Sequence, residues 1–240
     1  SSLANSYNFG NVQADYNVGG VAGYNDSAIF SSYSTGQVRG ATGSNAGGAI
    51  GYNQANSTVT NVYWNSVTSG NTVGIGGGVT SGVTGLTLAQ LQGVLPSYFD
   101  NTVWGTASGL YPYLKSQYPN GTPQAISGFA QNSDAAGQVS TVINGLVVGT
   151  SSIGAGGYYY SLLAPGTLAN TDVFTYAQSG GNLANTFTQG VTGTTSNINL
   201  TADTLVLTGN ENSLSSLLTD LNAASGNADS AHKLFTLDAS

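Results

Sequence analysis

The sequence predicts an all-β protein, and three observations lead there. Glycine is abundant, at 35 of 240 residues, while Lys and Glu, good helix formers, are few. Thr, Val and 14 Tyr supply residues that favour strand. Most tellingly, Gly-Gly-Val-Ala-Gly-Tyr-Asn at 19–25 returns as Gly-Gly-Ala-Ile-Gly-Tyr-Asn at 47–53. Self-similarity at a spacing of about 20–50 residues is the mark of a stacked or arrayed architecture.

A glycine-rich phrase can cradle a phosphate, but that use needs a helix N-terminus directly after the glycines. Here the glycines lead into Tyr-Asn-Asp-Ser and Tyr-Asn-Gln-Ala, then into more strand-like residues. The phrase therefore reads as one rung of a β-solenoid. Gly19-Gly20 turns the chain, Val21-Ala22 and Ala49-Ile50 point inward, Gly23 and Gly51 permit a bend, and Tyr-Asn opens the next turn. A longer unit surrounds it: Ser6-Tyr7-Asn8-Phe9-Gly10-Asn11-Val12 matches Ser32-Tyr33-Ser34-Thr35-Gly36-Gln37-Val38, and Tyr7, Tyr33 and Tyr63 become equivalent. Tyr24 with Asn25, and Tyr52 with Asn53, form a rung-spaced pair. Facing outward, their rings would stack on sugars and their amides would bond hydroxyls, which makes these four the candidate ligand-binding residues; facing inward, they would be interior ladders or cover the solenoid flank.

After Val62-Tyr63-Trp64-Asn65, the run Gly74-Ile75-Gly76-Gly77-Gly78 reads as a loop. Thr87 can cap a short helix with Leu88 and Leu91 on its apolar side, ended by Pro96. Trp64, Trp104, Tyr111 and Tyr113 are structural aromatics, and the last three are expected to cover an open solenoid end. These phrases resemble the GLUG-type repeats of bacterial surface proteins, found in filamentous-haemagglutinin-like exoproteins and in some cell-wall proteases. Val21-Ala22 and Ala49-Ile50 stand where the usual pattern has Leu-Val. The resemblance covers residues 1–70 closely, and Phe99 through Leu114 resembles the segment that closes such arrays. It implies a GLUG-type solenoid with an aromatic cap over 1–118 and a role in cell adhesion and biofilm. It also implies a secreted or cell-surface location reached by two-partner or autotransporter export, with surface glycans or other cell-surface molecules as partners.

Residues 119–123, rich in Pro, Asn and Gly, read as a linker. Beyond it, 124–208 reads as a β-sandwich module. Its strands are Ile126–Ala130, Val142–Thr150 folded at Asn144-Gly145, Gly156–Leu163, Val173–Tyr176, Ile198–Leu200 and Leu205–Leu207. The Tyr158-Tyr159-Tyr160 run must place residues on both faces, so at least one is expected to be exposed. Ile126-Ser127-Gly128, Val148-Gly149-Thr150 and Gly157-Tyr158-Tyr159 before Ala164-Pro165-Gly166 resemble prealbumin-like, collagen-adhesin B-type modules, which space and stiffen stalks. Some members carry Lys–Asn isopeptide bonds, but the one lysine past the linker, Lys233, lies outside the strands. Within 209–240, apolar positions 214, 217, 218 and 221 predict a helix with Ser213 as N-cap, and Phe235-Thr236-Leu237 begins a further element.

Charge excludes several roles. Charged residues make up 5 %, against roughly 25 % in ordinary domains. Net charge is −7, and Arg39, Lys115 and Lys233 are the only cationic side chains besides His232. Nucleic-acid binding, which needs clustered Lys and Arg, is not expected. No apolar run reaches the roughly 18–20 residues of a membrane helix, so no membrane insertion is expected. Without Cys there is neither a disulfide nor a thiolate zinc site. One histidine, His232, cannot build a metal cage and reads as a solvated loop residue. Asp15, Asp26 and Asp100 are scattered and Arg39 stands alone, whereas glycosidases bring two carboxylates to roughly 5–10 Å. The sequence thus predicts no enzyme, no metal and no cofactor.

The chain opens inside a repeat and reads as a piece of a longer exported protein. Unpaired strand edges at that end predict end-to-end self-association. The main reading is a structural and adhesive segment. Its rivals are a carbohydrate-binding module, which requires an exposed Tyr and Trp patch, and a polysaccharide-degrading β-helix, which requires converging carboxylates beside Arg39.

Overall fold

A computed structural model describes residues 1–131, 137–179, 182–209 and 214–226. The expectations for Ser213, His232, Lys233 and Phe235–Leu237 lie outside the described residues. Strand dominates, so the chain is all-β with short helices. It divides into two compact units, one of Ser1–Thr122 with Gly154–Gly156, the other of Pro123–Ile153 with Gly157 onward.

In the first unit the repeats lie over one another. The first copy supplies β1 (Ser2–Ala4), β2 (Tyr7–Asn8), β3 (Val12–Ala14), β4 (Val18–Gly19) and β5 (Ala22–Asn25). The second supplies β6 (Ala28–Ser34), β7 (Val38–Gly40), β8 (Ala46–Gly47) and β9 (Ile50–Asn53). The third supplies β10 (Thr58–Asn65) and β11 (Ile75–Gly78), and β12 (Val83–Leu86) follows. All of these pair in parallel, equivalent on equivalent. Tyr7 lies beside Tyr33 and Tyr33 beside Tyr63, Val12 beside Val38, Val18 beside Ala46 and Ile50 beside both Ala22 and Ile75. The Gly74–Gly78 run is therefore no loop but contains strand β11. Beyond Ile75 it carries no side chains, yet its backbone continues the ladder begun by β5 and β9.

The glycines are explained by what lies against them. Ile29, Ala49, Ile50, Val62, Trp64 and Ile75 form a buried cluster. A Cβ on Gly48 would overlap the Trp64 indole, and one on Gly74 would sit 2.6 Å from its Nε1. Trp64 is thus 5 % exposed and packed inside the stack. A second recurring device is a left-handed residue two places before each ladder tyrosine: Asn5, Ser31 and Asn61, at φ 47°, 48° and 54°. It turns the chain so that the tyrosines leave the apolar cluster and point to one flank.

Residues 93–118 pack along that flank. The short helix α1 (Leu88–Leu91) precedes them, and they contain β13 (Trp104–Gly105) and β14 (Tyr113–Leu114), an antiparallel pair. The Thr87 backbone N–H donates to Gln90 Oε1 at 2.9 Å, and α1 ends at Leu91, well before Pro96, with Gly93 at φ 79°. The aromatic segment touches all three copies. Trp104 Nε1 donates to Asn5 Oδ1 at 3.2 Å, the Tyr33 hydroxyl to the Pro112 carbonyl, and the Tyr63 hydroxyl to the Ser97 carbonyl at 2.7 Å. The Trp104 ring lies 4.6 Å from Phe99, 5.9 Å from Tyr33 and 6.1 Å from Tyr7. Tyr111 is 1 % exposed and accepts from Asn65 Nδ2 at 3.0 Å. Tyr113 closes over Gly105 and meets Tyr118 edge-on. The expected end cap is corrected: these residues form a lateral strap, because the tyrosines they cover project sideways from every copy.

The second unit comprises β15 (Gln124–Gln131), β16 (Gln138–Ile143), β17 (Leu146–Ser152), β18 (Tyr158–Leu163), β19 (Thr171–Ser179), β20 (Asn182–Val191), β21 (Leu200–Thr201), β22 (Thr204–Thr208) and helix α2 (Leu214–Ser225). One sheet runs β18-β15-β21, the other β17-β16-β19-β20-β22. Asn144 and Gly145, at φ 49° and 75°, make the tight β16–β17 hairpin turn. Alternation assigns the faces: Val139, Ile143, Val173 and Ala177 join Ile126, Tyr159 and Leu163 in a core between the two sheets. Val142, Phe174, Tyr176 and Phe187 point the other way, under Leu217, Leu218, Leu221 and Ala224 of α2. Strand β20 was not anticipated. The tyrosine run is a further correction, since Tyr158, Tyr159 and Tyr160 are all buried, at 7 %, 1 % and 6 %. Alternation fixes which face a residue takes, not whether that face is open, and Tyr158 packs edge-on against Phe129 at 5.3 Å.

Two outcomes are expected. Gly48→Ala lowers stability by about 1–3 kcal/mol by overpacking against Trp64, read as a lower urea midpoint at unchanged slope. An unchanged midpoint would show that the indole has room to shift. Burial, helped by the neighbouring Tyr118 hydroxyl, pushes Tyr7 from 10.0 up to about 12, and burial raises Tyr63 and Tyr118 too. The neutral phenol is the form the fold favours, so this stabilisation is complete below the ordinary value near 10 and is lost as pH rises toward 12. Alkaline titration should unfold the first unit in that window, with late phenolate absorbance, and Tyr7→Phe should flatten part of the pH dependence.

Candidate functional site

Strands β5 and β9 position the four residues singled out by the repeat. Their parallel register sets Tyr24 beside Tyr52 and Asn25 beside Asn53. Neighbouring residues on a strand face opposite sides, and the two pairs separate accordingly. Tyr24 is 52 % exposed and Tyr52 is half-buried. Their rings stack at 5.6 Å with an interplanar angle of 6°. The Tyr24 hydroxyl donates to Gln54 Oε1 at 2.9 Å, a partner that the sequence signalled only by its place directly after the phrase.

The asparagines point inward. Asn25 and Asn53 are 4 % and 1 % exposed. Asn25 Nδ2 donates to Asn53 Oδ1 at 2.8 Å, and Asn53 Nδ2 donates to the Val79 carbonyl at 2.9 Å. The Ser27 backbone N–H donates to Asn25 Oδ1 at 3.2 Å, and Ser57 Oγ donates to Asn53 Oδ1 at 2.5 Å. An amide carries donors and an acceptor, so equivalent asparagines can link copy to copy. The pairing of each tyrosine with its neighbouring asparagine in one outward site is thus corrected: the asparagines close the ladder from inside and are unavailable to a ligand.

The platform that remains is aromatic and uncharged. At the third copy Gly77 and Gly78 take the places of Tyr52 and Asn53, so the tyrosine stack is two rings long. A Cβ on Gly77 would stand 3.0 Å from Tyr52 Cδ2. Tyr24 lies on an edge strand, and its outer ring face is uncovered by any neighbouring strand of its sheet. Such a surface offers ring faces to an apolar face of a ligand and phenol and amide groups to its hydroxyls. Trp64, Trp104, Tyr111 and Tyr113 are each below 8 % exposed, so they contribute support and not contact.

Asp15 follows β3 and Asp26 follows β5, on different sheets. Arg39 stands in register with Gln13. Asp100 accepts from the backbone N–H and the hydroxyl of Thr102, both at 2.8 Å, and these bonds hold its carboxyl below the usual range. Among the described residues no group of three or more His, Cys, Asp or Glu gathers. No described helix is long and apolar enough to cross a membrane.

Comparison with protein-family models, with curated proteins and with solved structures finds no match to this chain.

The inside–outside split gives a direct expectation. Asn53→Ala orphans the Asn25 amide and the Val79 carbonyl and should cost about 1–3 kcal/mol. Tyr24→Ala, losing one side of an exposed stacked pair, should cost about 1 kcal/mol or less. Chemical denaturation of the two variants checks the order. Equal losses would show that the outer rings hold the stack as firmly as the inner amides do.

Proposed function

We propose that this chain is a structural and adhesive segment of an exported bacterial surface protein. In this reading the stacked copies are successive turns of a β-solenoid resembling the GLUG type. The second unit is a β-sandwich module. The observation that carries the reading is the parallel, in-register placement of one glycine-rich phrase on its own repeat, Tyr24 on Tyr52 and Asn25 on Asn53. A stack of this kind lengthens one copy at a time, and its first two copies present the same outer tyrosine, which suits a stalk that makes repeated contacts.

The low charge and the absence of Cys also support it, since solubility rests on Ser, Thr, Asn and Gln. The contact surface assigned by this reading is the Tyr24–Tyr52 platform with Gln54, and its partner class is surface glycan. Stacked, uncharged rings with a hydrogen-bonding rim suit a pyranose, whose faces are apolar and whose edge carries hydroxyls.

A broad glycan array tests the proposal, with the wild-type chain beside Tyr24→Ala and Tyr52→Ala, each confirmed as folded by circular dichroism. Binding by the wild type that both substitutions abolish is the expected result. Binding that survives both moves the adhesive surface elsewhere. An array with no hits at high protein concentration removes glycan contact from this segment and leaves a spacer.

A further inference from the structure

The chain contains two Asn-Gly steps, Asn120-Gly121 and Asn144-Gly145. This dipeptide has a chemistry of its own. The glycine backbone nitrogen, once it has lost its proton, can attack the asparagine Cγ. A five-membered succinimide closes and ammonia leaves. Water then opens the ring at either carbonyl, giving aspartate or isoaspartate. The balance is one amide and one water for one carboxylic acid and one ammonia, so no oxidant, enzyme or further reactant is needed. Glycine favours the step because no Cβ shields its nitrogen. In a folded chain the rate depends on whether that N–H is free to lose its proton and whether the backbone can rearrange around it.

The fold treats the two steps differently. Asn144 and Gly145, at φ 49° and 75°, are held between the Ile143–Leu146 and Val142–Val147 pairs of the β16–β17 hairpin. The Gly145 N–H donates to the Ala224 carbonyl at 2.9 Å. That carbonyl lies in the last turn of α2, where helix carbonyls lack partners of their own. Gly226 follows so closely that a Cβ on it would stand 2.4 Å from Gly145 Cα. The helix is anchored in turn, since Leu221 and Ala224 share a buried cluster with Val142, Phe174, Tyr176 and Phe187. Freeing the Gly145 proton therefore requires the end of α2 to lift.

Asn120-Gly121 has no such cover. It lies between β14 and β15, outside every ladder. Pro119, Asn120, Gly121 and Thr122 are all exposed. The Gly121 N–H reaches the Tyr118 carbonyl, three residues back, at 3.3 Å, longer than an ordinary N–H···O bond. Opening this turn breaks one long local bond and lifts no helix.

We propose that Asn120 is a self-modification site, which the chain converts to aspartate and isoaspartate, and that α2 shields Asn144 from the same reaction. Conversion adds a carboxylate to a chain of net charge −7. In the isoaspartyl product the backbone runs through the former side chain, which adds a methylene to the 119–123 linker. The inference rests on neither the glycan platform nor the adhesive reading.

Timed incubation of the whole chain at mildly alkaline pH tests it. Protease digestion and mass spectrometry, with fragmentation that separates aspartate from isoaspartate, give the rate at each site. The folded wild type is compared with the urea-unfolded wild type and with Leu217→Ala, which trims one contact between α2 and its sheet. In the folded wild type Asn120 should convert at least roughly tenfold faster than Asn144, a barrier difference of about 1.4 kcal/mol. In urea the two rates should converge. Leu217→Ala, confirmed as folded by circular dichroism, should speed Asn144 and leave Asn120 unchanged. Equal rates in the folded chain overturn the proposal. So does an advantage for Asn120 that persists in urea, because flanking residues and not the fold would then set it. A folded Leu217→Ala whose Asn144 stays as slow as in the wild type removes α2 as the shield. Should Leu217→Ala fail to fold, the folded and unfolded wild type decide alone.

Discussion

Parallel, in-register pairing places every residue of a repeat beside its own equivalent, one strand spacing away, and the first unit is organised by that constraint. Whatever occupies a position must tolerate a copy of itself at about 5 Å. Asparagine does so because one amide donates while the next accepts, as Asn25 and Asn53 do. Tyrosine does so by stacking, as Tyr24 and Tyr52 do. Apolar residues do so by packing, as Ala22, Ile50 and Ile75 do. A charged residue does not, since like charges side by side repel. Arg39 accordingly sits beside Gln13. The low charge of the chain is in part a consequence of this geometry, and the composition that reads as unusual in a globular domain is ordinary for a stack.

This also explains which features were legible. Equivalences are a property of sequence, and the pairing of Tyr7, Tyr33 and Tyr63 could be read by aligning the repeat with itself. Orientation is not. Tyr24 and Asn25 are adjacent letters in a repeated phrase, but adjacency on a strand means opposite faces, so the phrase contains an outer ring and an inner amide. The third return of the phrase escaped notice because Ile75-Gly76-Gly77-Gly78 keeps its backbone and its inward Ile but drops the Tyr and Asn, leaving composition that imitates a loop. The aromatic strap was misplaced for a related reason. Its residues were recognisable as a cover, but the surface needing cover is set by Asn5, Ser31 and Asn61, whose left-handed backbone turns the tyrosines to the flank. Asn is a familiar occupant of that conformation and Ser is not, so Ser31 gave no sign of it.

The second unit is held by different means. Its hydrophobic alternation has period two, and the strands with clear alternation and clear turns, such as the Asn144-Gly145 hairpin, were visible. Strand β20 was not, because Asn, Ala, Thr and Gln interrupt its pattern. Two of those polar residues are nevertheless inside: Asn185 and Thr186 are each 3 % exposed, and Thr186 Oγ1 donates to the Asn199 carbonyl at 2.6 Å. Hydrogen bonds made on folding replace the apolar signal that a sequence reading looks for. The Tyr159 hydroxyl behaves alike, reaching the Ile198 carbonyl at 2.6 Å from a fully buried ring.

A stack built on self-compatibility needs a way to stop, and the third copy supplies one. Trp64 replaces Ser34 and fills the interior that smaller residues leave to glycine contacts elsewhere. Gly77 and Gly78 replace the tyrosine and asparagine, so neither the outer ring series nor the inner amide series is offered to a following strand. The Asn53 amide turns instead to the Val79 carbonyl, a backbone group that makes no demand on the next residue's identity. No such substitutions mark the first copy. Its tyrosine, its asparagines and its strand edges keep the chemistry that bonds one copy to the next. The first and third copies therefore differ in kind: the third has spent its ladder groups internally, and the first keeps the groups that bond copy to copy.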